Sequence, residues 1–121
     1  NINCEIIAGK NPKLITEKSN LIITTTPSKK PIILNEWLHD ELHITAMGSD
    51  TPNKQELDSN VLSKADLIIA DSRSQCEVRG EIHHAIKNKI VSMDSIVELG
   101  EIINGDRKGR TTGPWGRSSA G

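Results

Sequence analysis

Residues 43–57 read HITAMGSDTPNKQEL, and this stretch gives the clearest indication of the fold. It begins as an apolar strand over residues 43–47, stops at Gly48, and then carries Asp50 and Lys54 in a polar loop. Glycine allows the backbone to approach a ligand closely. Parallel sheets bind ligands at the carboxyl ends of their strands. We therefore expect a strand followed by a loop that carries a nucleotide-dependent active site.

Strand-like and helix-like segments alternate on both sides of this loop. The expected strands are residues 2–8, 21–26 and 65–70, with a short extended piece at 90–91. Helical patterns occupy 12–19, 59–64, 74–87 (with a break at Gly80) and 94–103. Two of the strands lack polar alternation, which is typical of strands buried on both faces. The alternation predicts an α/β fold, a parallel sheet with helices on both faces, in a single domain.

Composition limits the classes of function. The chain of 121 residues suits one domain, and its 35% hydrophobic content without Phe or Tyr predicts an aliphatic core. A net charge of −1 gives no basic surface for nucleic acid and no polybasic membrane patch. No apolar run approaches the roughly 20 residues that span a bilayer. We expect Cys4 and Cys76 to be reduced, which indicates the cytoplasm.

Three loops are expected to meet at the carboxyl edge of the sheet: residues 26–29, 48–54 and 71–73. In residues 24–29, hydroxyls at the strand end, among them that of Thr26, could bond a ribose or phosphate, and Lys29 could pair with charge. Asp50 could act as a general acid or base if a dry site raises its pKa. Lys54 could bind an anion. The alternative is that these are ordinary turns with solvated side chains, which loops use constantly.

Two histidine-containing stretches do not predict a metal site. In the stretch from His39 to His43, Asp follows the first histidine where a metalloprotease helix needs Glu. The adjacent pair His83 and His84 would point to different sides of a helix. We expect an exposed helical face there and no bound metal.

Four segments in series resemble the ornithine cyclodeaminase/mu-crystallin family. They are residues 24–29 (TTTPSK), 43–57, 65–73 (ADLIIADSR) and 97–105 (VELGEIING). The resemblance implies that residues 1–112 are part of a Rossmann domain that binds NAD or NADP, and that residues 113–121 are an irregular tail. Members of the family are longer and have a dimerising substrate domain. Its cyclodeaminases are lyases that convert the amino acid ornithine to proline and ammonia through hydride transfer to and from NAD.

The resemblance also implies roles for individual residues. Asp50 matches the aspartate that exchanges a proton with the substrate amine. Thr26 and Lys54 match residues that contact the nucleotide. The segment that runs along the nicotinamide side comprises Ile44, Thr45, Ala46 and Met47.

The chain departs from the family pattern in two places. No Gly-x-Gly-x-x-Gly phosphate loop occurs in the sequence, and residues 113–121 do not match the family. We therefore expect a truncated portion of an NAD-dependent enzyme that is inactive alone and binds NAD(P) weakly at best. The alternative is a stand-alone, non-catalytic half-Rossmann module that oligomerises or binds a small ligand. Sheet edges left bare by missing strands predict a homo-oligomer.

Overall fold

A computed structural model describes residues 2–110. Its four strands are β1 (Leu21–Thr24), β2 (His43–Ala46), β3 (Ile68–Ala70) and β4 (Ile96–Glu98). Its five α-helices are α1 (Pro12–Lys18), α2 (Asn60–Ser63), α3 (Arg73–Cys76), α4 (Gly80–Lys87) and α5 (Leu99–Ile103). Single turns of 3₁₀-helix occupy Asn35–Trp37 and Met93–Ser95. Within residues 2–110, none of the helices has the length and apolar character needed to cross a membrane.

Both strand pairs are parallel, as the sequence predicts. In the first pair Leu21 lies opposite His43 and Thr24 opposite Ala46, and in the second pair β3 lies beside β4. The described residues form two two-stranded sheets instead of one continuous sheet. The α/β class is therefore confirmed, with the strands hydrogen-bonded in pairs.

The core is aliphatic and lies on one side of β1. Ile22 and Thr24 are buried, whereas Leu21 and Ile23 on the opposite side are 44% and 60% exposed. This alternation shows that only one face of β1 is covered within the described residues. The buried hydrophobic side chains that pack together are Ile22, Ile33, Leu57, Val61, Leu62, Ala70, Ile82, Ala85 and Ile96.

Two of the predicted elements are wrong. Residues 2–8 form no strand, and Ile2, Ile6 and Ile7 are 79–90% exposed. A strand needs a neighbour to bond its backbone, and the described part of the chain supplies none there. The segment 94–103 is only partly helical, because Ile96 and Val97 pair with β3 in strand β4 before α5 begins. The β-branched side chains and the pairing outweigh the helical pattern.

Smaller differences also occur. The extended piece at residues 90–91 is a bend, not a strand. The break at Gly80 is confirmed: its φ of +87° ends the turn after α3 and begins α4. The predicted tail at residues 113–121 lies outside the described residues.

Candidate cofactor site at the ends of β1 and β2

The parallel register brings two of the three predicted loops together. Because β1 and β2 run in step, residues 25–29 and 47–54 emerge side by side, and the Met47 N–H donates to the Thr24 carbonyl at 2.9 Å. A cavity of about 310 Å³ lies between them. Its lining residues are Thr25, Thr26, Pro27, Met47, Gly48, Asp50 and Lys54. Of the predicted site residues, Thr26, Met47, Asp50 and Lys54 line this cavity, while Ile44, Thr45 and Ala46 lie in β2 leading to it.

The third loop, residues 71–73, belongs to a different network. The Arg73 N–H donates to Glu98 Oε1 at 2.8 Å, and its guanidinium donates to the Ile96 carbonyl at 2.8 Å and to Glu101 Oε2 at 3.1 Å. These bonds tie the loop to β4 and α5. The expectation that it joins the other two loops at the cavity is wrong, because β3 pairs with β4 and not with β2.

A buried carboxylate holds the two cavity loops together. Glu56 is fully buried, and its Oε2 accepts from both the N–H and the hydroxyl of Thr26 at 2.7 Å. Its Oε1 accepts from the Gly48 N–H, also at 2.7 Å. A buried carboxylate is tolerated when strong donors surround it. Sequence reasoning missed Glu56, since a single Glu beside Leu57 carries no pattern that separates it from a solvated loop residue.

Gly48 is required by the contact between the loops. A Cβ at this position would lie 2.2 Å from the Thr26 carbonyl oxygen and 2.5 Å from Glu56 Oε1. The sequence led us to expect a close approach to a ligand at Gly48. The close approach in the structure is instead to the neighbouring loop, and any larger residue would separate the two sides of the cavity.

The Thr26 hydroxyl is also used within the protein. It donates to Glu56 Oε2 and accepts from the Ser28 N–H at 3.3 Å. A hydroxyl has one proton and two lone pairs, so only one lone pair remains for a ligand. Thr26 therefore shapes the wall of the cavity, and the neighbouring Thr25, from the same hydroxyl-bearing segment, also lines it.

Asp50 forms an ion pair with Lys54 at the mouth of the cavity. Lys54 Nζ donates to Asp50 Oδ1 at 2.6 Å, and the Asp50 side chain is 67% exposed. This hydrogen bond and the positive charge of Lys54 lower the pKa of Asp50 below its ordinary value. The sequence argument considered a dry site that raises this pKa. The structure shows the opposite direction, because Asp50 is solvated and paired, so it is ionised at neutral pH.

The cavity suits one end of a dinucleotide. Its volume of about 310 Å³ is at the lower limit of about 300–1,000 Å³ for small-molecule sites, so it accommodates one half of such a cofactor. Its polar groups are hydroxyls, one carboxylate and one ammonium, which match a nucleoside. The Gly-rich backbone that would hold a pyrophosphate is absent from the sequence. The lining therefore fits a nucleoside better than a pyrophosphate.

Other candidate ligand groups lie elsewhere. A second cavity of about 380 Å³ is at the amino ends of β3 and β4, with Asp66 and Ser95 in its wall. Across residues 2–110, no three His, Cys, Asp or Glu side chains converge as a metal site. His39 contacts backbone oxygens, and His43 contacts the Thr45 hydroxyl.

Comparison with known proteins identifies the family. A profile of the ornithine cyclodeaminase/mu-crystallin family matches residues 1–113. An uncharacterised cyclodeaminase of Sinorhizobium fredii is 41% identical over 107 residues, which are 88% of this chain and 32% of that protein. The chain thus spans about a third of the length of the curated relatives it matches.

Solved structures agree with this relationship. The iminosuccinate reductase of Paracoccus denitrificans in complex with NAD+ superposes with a TM-score of 0.76 at 34% identity, covering 81% of this chain and 30% of that one. The Delta(1)-pyrroline-2-carboxylate reductase of Thermococcus litoralis, in complex with NADH and L-proline, gives 0.74 at 31% identity, covering 81% and 31%. The fold is that of part of an NAD-binding, Rossmann-like domain, and the chain belongs to the ornithine cyclodeaminase/mu-crystallin family.

Proposed function

We propose that this chain is the nicotinamide-side portion of the NAD(P)-binding domain of an enzyme that acts on a small amino or imino acid, with ornithine cyclodeaminase-like, lyase chemistry. The observation that carries the proposal is the cavity between residues 25–27 and 47–54, at the carboxyl ends of two parallel strands. Its support is that related structures hold NAD+ or NADH, and one of them holds L-proline.

Residues in and beside the cavity have distinct roles in this proposal. When bound, the cofactor supplies the group that accepts or returns a hydride. Residues 44–47, in β2 and directly after it, lie along the nicotinamide, and Lys54 contacts the nucleotide. Asp50 accepts a proton from the substrate ammonium, which requires the ionised form that its ion pair with Lys54 favours.

The chain is incomplete as a catalyst in this proposal. Catalysis needs a site that binds the transition state and excludes water, whereas Asp50 is largely solvated and no phosphate loop is present in the sequence. Calorimetry with NAD(H) and NADP(H) should give only weak binding. Sub-micromolar affinity would contradict this, and so would the appearance of proline in an assay with ornithine.

A second proposal is that the chain is a half-Rossmann module that self-associates. Within residues 2–110, β1 has β2 as its only hydrogen-bonded neighbour, so its other backbone edge is unpaired, and the exposed Leu21 and Ile23 lie on its uncovered face. Such an edge favours pairing with another copy. Light scattering should show an oligomer, and a clean monomer at high concentration would contradict this proposal. In either role we propose a cytoplasmic setting, since Cys4 and Cys76 are free thiols.

A further inference from the structure

Helix α4 contacts the end of the Asp50–Lys54 loop and the residues directly after it through two side chains one helical turn apart. Glu81 Oε1 accepts from the Glu56 N–H at 2.6 Å, and its Oε2 accepts from the Leu57 N–H at 3.1 Å. His84 Nε2 lies 2.7 Å from the Lys54 carbonyl oxygen. Residues three positions apart share a helix face, so both contacts come from the same side of α4.

The chemistry of this contact fixes the tautomer of His84. A carbonyl oxygen can only accept a hydrogen bond, so Nε2 must carry a proton and donate it. The same carbonyl accepts a second hydrogen bond from the Ser49 hydroxyl. The backbone at Lys54 is therefore held from α4 on one side and from its own loop on the other.

This anchoring has a consequence for the ion pair. Lys54 Nζ donates to Asp50 Oδ1 at 2.6 Å, and the backbone carbonyl of the same lysine accepts two hydrogen bonds. A long, flexible lysine side chain loses entropy when it is fixed in one geometry, and exposed ion pairs gain little as a result. When the backbone of Lys54 is fixed, the lysine side chain samples fewer conformations before pairing, so it loses less entropy when the ion pair forms.

We propose that His84 is a positioning residue that, through the backbone of Lys54, holds the Lys54 ammonium against the Asp50 carboxylate. Glu81, one turn away, supports the segment directly after this loop by accepting hydrogen bonds from the N–H groups of Glu56 and Leu57. The relevance of His84 to catalysis rests on the proposed function of Asp50. The coupling itself rests on contacts that need no cofactor.

The test is the pKa of Asp50, measured by carboxyl-carbon NMR during a pH titration of the full chain. His84→Ala should raise this pKa toward the value found in Lys54→Met, because the ammonium is no longer held in place. His84→Gln, whose amide can donate to the same carbonyl, should restore the low value. His83→Ala is the matched control: His83 packs its ring edge-on against that of His84 but contacts the Glu77 carbonyl and not the Lys54 carbonyl, so the variant separates ring packing from the hydrogen bond. Arg79, whose positive charge also lowers the pKa of Asp50, is retained throughout.

A merely structural role predicts a different result. In that case His84→Ala would lower the free energy of unfolding without moving the pKa of Asp50, and this outcome would overturn the proposal. A measurement on the unaltered chain covers the case of a variant that does not fold. Long-range proton–nitrogen NMR should show His84 protonated at Nε2, and a neutral ring protonated only at Nδ1 would equally overturn the proposal.

These readouts separate the inference from the proposed function. An unchanged Asp50 pKa in His84→Ala removes the positioning role whether or not the chain binds a cofactor. Failure of NADH to perturb the Asp50 loop would count against the proposed function and would leave the coupling between His84 and Asp50 in place.

Discussion

The two ends of the β1–β2 pair are each held by one ionisable side chain, in contrasting ways. At the carboxyl end, the buried Glu56 accepts three hydrogen bonds from Thr26 and Gly48. At the amino end, the exposed His39 places Nδ1 2.7 Å from the Asp40 carbonyl and Nε2 2.8 Å from the Ser19 carbonyl. Both of these oxygens are acceptors, so the ring satisfies both only as an imidazolium. The hydrogen bond to Asp40 is the main cause that raises the pKa of His39.

The difference between these ends is one of burial. Loss of a buried acceptor leaves backbone donors without water or protein partners, whereas an exposed group can exchange its bonds for water. We therefore expect the end that carries the cavity to depend strongly on Glu56. The opposite end should depend only weakly on His39 and in a pH-dependent way.

The largest expected effect is that of Glu56→Gln. The amide group must face either the Gly48 N–H or the Thr26 donors, so at least one buried donor loses its acceptor. We expect a loss of about 2 kcal/mol or more in the free energy of unfolding by urea denaturation. Glu5→Gln is the control, because Glu5 lies in the exposed segment before α1. A loss of stability in Glu56→Gln as small as that in the control would contradict the claim that the carboxyl end of the strand pair depends on Glu56.

Substitution of Gly48 tests the close contact between the two cavity loops from the side of residues 47–54. Gly48→Ala should cost about 1–3 kcal/mol, because the new Cβ meets backbone and carboxylate atoms that cannot move aside freely. Gly100→Ala in α5 should stabilise the chain by about 0.5–1 kcal/mol, since nothing lies within 4 Å of its Cβ position. Thermal unfolding should show a lower midpoint temperature for Gly48→Ala and a higher one for Gly100→Ala. Equal effects would contradict the close contact at Gly48.

Glu81 should make stability depend on pH near the cavity. Burial raises the pKa of Glu81 above its ordinary value of 4.5, so the folded state holds a proton that the unfolded chain has already released. Stability should therefore fall as pH rises from 4.5 through the folded-state pKa. Urea midpoints across this range should show the fall, and Glu81→Gln should flatten it. An identical slope in the variant would assign the dependence to another group.

The smallest expected effect belongs to His39. Its contribution should be fully present below the ordinary pKa of 6.5 and should be lost as pH rises through the raised folded-state value. We expect less than about 1 kcal/mol, because the group is exposed and screened. The difference in urea midpoint between the unaltered chain and His39→Asn should shrink with rising pH. A difference in urea midpoint that does not change with pH would show that the His39 imidazolium is not what links Ser19 to Asp40.

The sequence predicted the local elements better than their assembly. Pro12 marked the start of α1 because proline fixes φ at a helical value, and Gly80 marked the break before α4 because glycine tolerates a positive φ. The strand at Ile96 was missed because it depends on pairing with β3, a contact distant in sequence.

The cavity residues also divide into those that local sequence predicts and those that depend on contacts distant in sequence. Thr26, Asp50 and Lys54 could be placed from the strand ends, because loops of parallel strands converge. Glu56 and His84 could not, since their roles arise from backbone groups of residues that are remote in the sequence.

The most direct test of the central claim is a titration of the nitrogen-labelled chain with NADH, followed by amide NMR. We predict progressive, weak-binding shifts of the Thr25, Thr26, Gly48 and Asp50 resonances, which report on the cavity held by Glu56. The resonances around Asp66 and Ser95, in the larger cavity at the opposite end of the other strand pair, should stay unchanged. Shifts confined to that second cavity, or none at the first with NADH in the millimolar range, would contradict the assignment of the cofactor site.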